Sequence, residues 1–199
     1  ASSFADCDEY IFKHHILHQA ILNTVPTADK EVYHLRTAEW LQQHSNTKLT
    51  EYAPWIAYHL DYANQFPEAS LWYLQAGINS AMRYDNLDAI WLLQRALDLN
   101  PEENLVNRVE AERWMVYAKN QIDRPQPQTT LVEDIYQTAL AINQPLQLAQ
   151  ASALLAENAK NSDNYSEALA HCQNALEWLK KVDPCRLEIE TLLLAASIH

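Results

Sequence analysis

The chain has 199 residues, a formal net charge of −12, one Gly and eight Pro. A negative balance of that size argues against a nucleic-acid partner, and one glycine cannot supply the two or three that a P-loop or a dinucleotide-binding turn requires. The longest apolar run, Leu192 to Ile198 broken at Ser197, falls far short of the roughly 18 residues of a membrane span.

Apolar residues recur at helical spacing almost throughout, and the pattern predicts an all-α chain. About ten helices are expected, over 13–24, 28–45, 50–64, 67–84, 86–99, 103–122, 129–143, 146–161, 165–181 and 185–197. The breaks carry turn chemistry. Pro26 follows Thr24-Val25, with Thr27 ready to cap. Asp85-Asn86 leaves almost no loop, and Asn100-Pro101, Asn143-Gln144-Pro145 and Asp183-Pro184 are stops, since the residue before proline is pushed out of the α region. Asp123 to Gln128, with Pro125 and Pro127, is the one true linker. Connections this short make successive helices pack antiparallel. The helix over 87–99 is apolar almost all round, which implies cover on several sides.

A two-helix period in the mid-thirties is the next signal. In Ser70–Glu102 the residues Gly77, Ala89, Leu93, Ala96 and Pro101 occupy the small, small, large, small and proline positions that a tetratricopeptide repeat uses. Small residues let two helices approach, the large one fills the gap and the proline stops the second helix. Ala156, Ala168, Cys172 and Ala175 repeat the pattern within Ala149–Leu179, and Ala57, Ala69, Tyr73 and Ala76 repeat it more weakly within Thr50–Arg83. Asn104–Ile142 reads as a degenerate pair. The expected architecture is therefore a stack of antiparallel helix pairs, a tetratricopeptide-like right-handed solenoid. Its parts are residues 1–25 as the tail of a preceding subdomain, 26–122 as a helical arm with the first repeats, 123–128 as the linker, and 129–199 as further repeats that read as truncated.

One segment narrows this further. Asp8-Glu9-Tyr10-Ile11-Phe12-Lys13-His14, then His15-Ile16-Leu17-His18, Tyr33 to Leu41, Ile56 to Leu60 and Ala69 to Gly77 follow one another in an order that resembles the region between the NTPase and the repeat array of STAND-type signalling ATPases. The resemblance covers about residues 8–100. It implies a fragment of a multidomain bacterial regulator, often one fused to a nucleotide cyclase, a kinase or a DNA-binding domain. It also implies that residues 1–25 end a winged-helix-like subdomain, and that His14 stands where some relatives place a histidine facing bound nucleotide. His15 and His18 depart from the family pattern.

Chemistry-bearing clusters are few. His14 and His18 have metal-ligand spacing, with Asp8 or Glu9 near in sequence, but no glutamate lies between them and no Cys pair supports a site, so no metal is expected. Carboxylates such as Glu102-Glu103, Glu110, Glu112, Glu133-Asp134, Glu188 and Glu190 read as solvated helix faces or first-turn residues. His34 and His59 sit in apolar stripes and read as satisfied core histidines. Trp55, Trp72, Trp91, Trp114 and Trp178 read mostly as inter-helix core. Cys172 lies on an apolar stripe and reads as an inert thiol. Cys7, Cys172 and Cys185 form no pairing pattern, which fits reduced thiols, and the N-terminus carries no signal-peptide pattern, so a cytoplasmic location is expected.

In a tetratricopeptide array the first helix of each pair lines a groove. That rule places Leu71, Leu74, Ile78 and Met82 in one repeat, and Gln150, Ala153, Glu157 and Lys160 in another, as candidate partner-binding residues. No catalytic residue and no cofactor is expected. The leading reading is a non-catalytic module that binds a protein or peptide, including the NTPase of its own chain. A stand-alone scaffold, self-associating or not, is the second, and an enzyme with a site in the groove is third.

Overall fold

The helix ends follow from proline and from left-handed turns built without glycine. The computed structural model describes residues 13–45, 48–100, 104–122, 128–182 and 186–198, and these form helices with no strand. In chain order they are α1 (His15–Thr24), α2 (Thr27–His44), α3 (Leu49–Tyr62), α4 (Phe66–Met82), α5 (Asn86–Leu99), α6 (Leu105–Ile122), α7 (Thr129–Ile142), α8 (Pro145–Asn161), α9 (Tyr165–Leu179) and α10 (Arg186–Ala196). Proline stands in the first turn of α4 and α8, where its missing N–H would have no partner anyway. Three helices end alike. The N–H of Gln65, Asp85 and Asn164 donates to the carbonyl of Leu60, Ser80 and Ala159, at 2.9, 3.0 and 2.9 Å. The residue before each donor, Asn64, Tyr84 or Asp163, has φ of 57°, 63° and 59°. These are Schellman closures. Asn and Asp tolerate the left-handed region through their short polar side chains, whereas Tyr84 is strained there.

From α2 onward each helix packs on the next, and α4 also touches α6, α6 touches α8, and α8 touches α10. Such skip contacts between alternate helices are compatible with the expected solenoid of helix pairs. Helices α2, α4, α6, α8 and α10 begin at Thr27, Phe66, Leu105, Pro145 and Arg186, steps of about 40 residues rather than the mid-thirties. With those starts α4 pairs with α5 and α8 with α9, so Thr50–Arg83 straddles two pairs. The twelfth residue of the first four is Ala38, Gly77, Val116 and Ala156, each buried. At Gly77 a Cβ would lie 2.6 Å from Leu93 Cγ, so α4 and α5 meet there more closely than any side chain permits.

The core is a chain of clusters along the stack. One joins α2 to α6 around Ile56, Leu60, Tyr73 and Leu93, and another joins α6 to α9 around Val109, Val132, Ile135 and Leu148. Helix α5 differs from expectation. It buries Ala89, Leu92, Leu93 and Ala96 on one face, yet Leu87 and Trp91 face outward. A helix wheel shows which residues share a face, not whether a neighbour covers it. Trp55 is likewise exposed rather than core. No helix among the described residues is long and apolar enough to cross a membrane. The linker residues 123–127, Pro101, Pro184, Cys7, Cys185, Asp8, Glu9 and the side chain of His18 lie outside the described residues.

Candidate binding groove

A concavity of about 1330 Å³ lies on the side of α2, α3 and α5, away from the α4 residues expected to line a groove. Helix periodicity builds its walls. Tyr58, His59 and Tyr62 share one side of α3, Lys30, Glu31 and His34 one side of α2, and Trp91 and Arg95 one side of α5. Phe66 and Tyr73 of α4 and Leu22 of α1 complete the apolar lining. Tyr62 and Trp91 are 56% and 60% exposed, and Trp55, at 61%, stands one turn before Tyr58 on α3. Large rings left this open are unusual on a packed helix array.

An ion pair and a ring cluster fix the geometry. Arg95 Nε donates to Asp61 Oδ2 at 2.8 Å and its terminal nitrogen donates to Oδ1 at 2.9 Å, while the Tyr73 hydroxyl lies 3.4 Å from Oδ2. The Asp61 side chain is 9% exposed, so the fork-shaped guanidinium compensates a largely buried charge. Bonding to Asp61 pushes the Arg95 guanidinium up, and burial followed by the Asp61 charge pushes the Tyr73 phenol up. His34 Nδ1 and His59 Nδ1 are 2.8 Å apart. His34 stacks on Tyr62, with centroids 5.1 Å apart, and Tyr58 meets His59 edge-on at 5.4 Å. Burial lowers the His34 imidazole, and burial together with His34 lowers His59 to about 4. Burial and a hydrogen bond with Tyr62 raise the Tyr58 phenol. At neutral pH the groove therefore carries two neutral histidines, neutral tyrosines and charges that cancel in pairs. Its chemistry is aromatic contact with a few polar anchors.

The residues expected to bind a partner divide. In α4, Leu71 and Met82 are exposed, Leu74 is buried and Ile78 is packed against the core, so the four do not form one open surface. In α8, Gln150, Ala153 and Glu157 do come together, in a recess of about 260 Å³ between α6, α8 and α10. Arg113, Tyr117 and Leu194 also line it. Gln150 Oε1 is buried there without a hydrogen-bond partner among the described residues. Burial pushes the Glu157 carboxyl up, against an Asn120 hydrogen bond and the Lys160 charge. Lys160 Nζ itself donates to Ser197 Oγ at 2.7 Å. His14 is exposed at the residue before α1. Cys172 is buried, and burial raises its thiol, as expected of an inert cysteine.

His34 and His59 do satisfy each other, but as the half-buried wall of a groove rather than in the core. Nothing in the sequence pairs two residues 25 apart on different helices; only the face they share with Tyr58 and Tyr62 hints at a cluster. Among the described residues no three His, Cys, Asp or Glu side chains converge as a metal site. No protein-family model matches the chain, and no curated protein or solved structure is significantly similar to it.

Proposed function

We propose that this chain is a non-catalytic helical-repeat module, acting in the cytoplasm, that holds a peptide or helix of another protein on the α2–α3–α5 groove. The observation that carries this reading is the row of exposed rings, Trp91, Tyr62 and Tyr58, around a neutral groove beside a fixed Arg95–Asp61 pair. Tyrosine, tryptophan and arginine dominate the energetics of protein interfaces because they bury much area at low entropic cost. An apolar patch of this kind on a protein surface marks an interaction site. The resemblance of residues 8–100 to the arm that follows a STAND-type NTPase makes that NTPase, in the same polypeptide, the first partner to test. In that setting the module regulates or senses, and the chemistry belongs to other domains.

The test is selection of binders from a random peptide library on the wild-type chain, followed by titration against two variants. Trp91→Ala with Tyr62→Ala is expected to weaken selected peptides by about tenfold or more, while Glu157→Ala with Lys160→Ala leaves them unchanged. Loss only in the second variant would move the site to the α8 face. The full gene product tests the wider assignment, because a Walker motif before these residues supports it and an unrelated architecture overturns it. A self-associating scaffold is the second reading. Ile189, Leu192 and Leu193, exposed together on α10, favour it, and sedimentation velocity across concentrations distinguishes a monomer from an assembly.

A further inference from the structure

We propose that His34 and His59 form a proton-operated latch between α2 and α3, closed while the pair carries at most one extra proton and opened by the second. The inference rests on the groove being a binding surface, since the latch forms part of its wall.

The stereochemistry is restrictive. Two Nδ1 atoms 2.8 Å apart share one hydrogen, so one ring donates and the other accepts with its lone pair. With both rings neutral the bond stands. With one imidazolium it stands as well, the charged ring donating. With two imidazolium rings both Nδ1 atoms carry hydrogen, the acceptor is gone, and two like charges face each other at a centroid distance of 5.0 Å.

The surroundings do not offset that charge. Lys30 and Glu31, one turn before His34 on α2, have opposite signs. Asp61 on α3 has both oxygens bonded to Arg95 of α5. Tyr58 and Tyr62 of α3 and Tyr73 of α4 are neutral, and α1 presents Gln19, Leu22 and Asn23 to the same space. The depressed basicity of both rings, His59 near 4, agrees with this accounting.

Location makes the pair a latch rather than a local defect. The buried apolar residues of α2 are Ala38 and Leu41, both in its second half. Its first half, from Thr27 to Leu35, is held by His34 and the rings around it and by Leu35, which packs against the core. Breaking the pair loosens the turns of α2 before Leu35, whose side chain stays on the core, and widens the groove on that side. Histidine pairs are suited to this because their surroundings displace each ring's titration, here to about 4 for His59.

The experiment is histidine NMR on the whole chain, following ring nitrogens from pH 7.5 to 4, with amide protection of residues 27–37 measured over the same range. The expected result is two separated titrations, the second near 4, with protection falling about tenfold as the second proton binds. His59→Asn keeps a polar atom near Nδ1 without a titrating group, and it should abolish the pH dependence of protection. Independent titration of both rings at the free-histidine value overturns the proposal, as does the same protection profile in His59→Asn. If His59→Asn does not fold, the wild-type titrations alone decide. Peptide binding at pH 7.5 that still depends on Trp91 and Tyr62 would then leave the groove reading standing without the latch.

Discussion

Replacing Gly77 by alanine adds one methyl group at the closest approach of α4 and α5. The new carbon would lie 2.6 Å from Leu93 Cγ, 2.8 Å from Leu93 Cδ2 and 3.2 Å from the Leu93 amide nitrogen. Carbon atoms prefer about 3.5–4.0 Å, so the contact is short by nearly an ångström. Leu93 is fully buried and Cγ is not the free end of its side chain, so relief requires the helices to separate. Overpacking of this kind costs about 1–3 kcal/mol. Alanine in place of glycine within a helix returns about 1 kcal/mol, which leaves a net loss of about 0–2 kcal/mol, toward the upper end because Leu93 Cγ cannot swing away. Urea unfolding followed by far-UV circular dichroism measures it, and the denaturant slope shows whether the transition stays two-state. Ala156 in α8 occupies the equivalent place, and Ala156→Gly should cost about 1 kcal/mol from helix propensity alone. Combining Gly77→Ala with Leu93→Ala should cost less than the sum of the single changes, because the smaller residue removes the clash. A Gly77→Ala chain about 1 kcal/mol more stable than wild type, the full helix-propensity gain with no packing cost, would refute the close packing of α4 on α5.

Other outcomes follow from single contacts. Tyr84→Gly removes a left-handed strain at an exposed turn and should raise stability by about 0.5–1 kcal/mol in the same urea assay; a loss would mean that the ring contributes more than its backbone costs. Arg95→Met leaves the Asp61 carboxylate with only the long Tyr73 contact and should destabilise by about 2 kcal/mol, a value reduced from the fully buried case because Arg95 is partly open to solvent. Stability should depend on pH through His34 and His59. Both are less basic when folded, so the unfolded chain binds more protons between the two values. Their contribution is complete above about 6.5 and is lost as pH falls toward 4. The His59 displacement corresponds to about 3 kcal/mol at 1.36 kcal/mol per unit, and partial solvation brings this to about 1–2 kcal/mol. Thermal melts at pH 7.5 and 4.5 in wild type and His59→Asn measure the difference, and equal pH slopes would contradict it.

The helices were legible because period, proline and turn residues agree along the chain. Predicted spans such as 86–99 and 129–143 differ from α5 and α7 by no more than a residue. The tight positions were also legible, since Gly77, Ala89, Leu93 and Ala96 lie where α4 meets α5. The step between first helices was not. Alternate helices begin about 40 residues apart in every step because the first helix of each pair, α2, α4, α6 or α8, runs to 17 or 18 residues. The concavity beside α2, α3 and α5 was not legible for a related reason. Periodicity puts Trp55 and Tyr58, or Leu87 and Trp91, on one face, but whether that face meets another helix depends on the stack as a whole. The same ambiguity made Leu74 and Ile78 of α4 look available for binding. The His34–His59 contact links two helices across a turn, and no local signal in a single sequence encodes such a pair.

The central claim is that the exposed rings of the α2–α3–α5 groove bind a partner segment. Calorimetric titration of a library-selected peptide into wild type and into Trp91→Ala/Tyr62→Ala, with circular dichroism confirming that both are equally folded, tests it most directly. The account predicts saturable binding to wild type that weakens about tenfold or more in the variant. Equal affinity for the two folded proteins would contradict it.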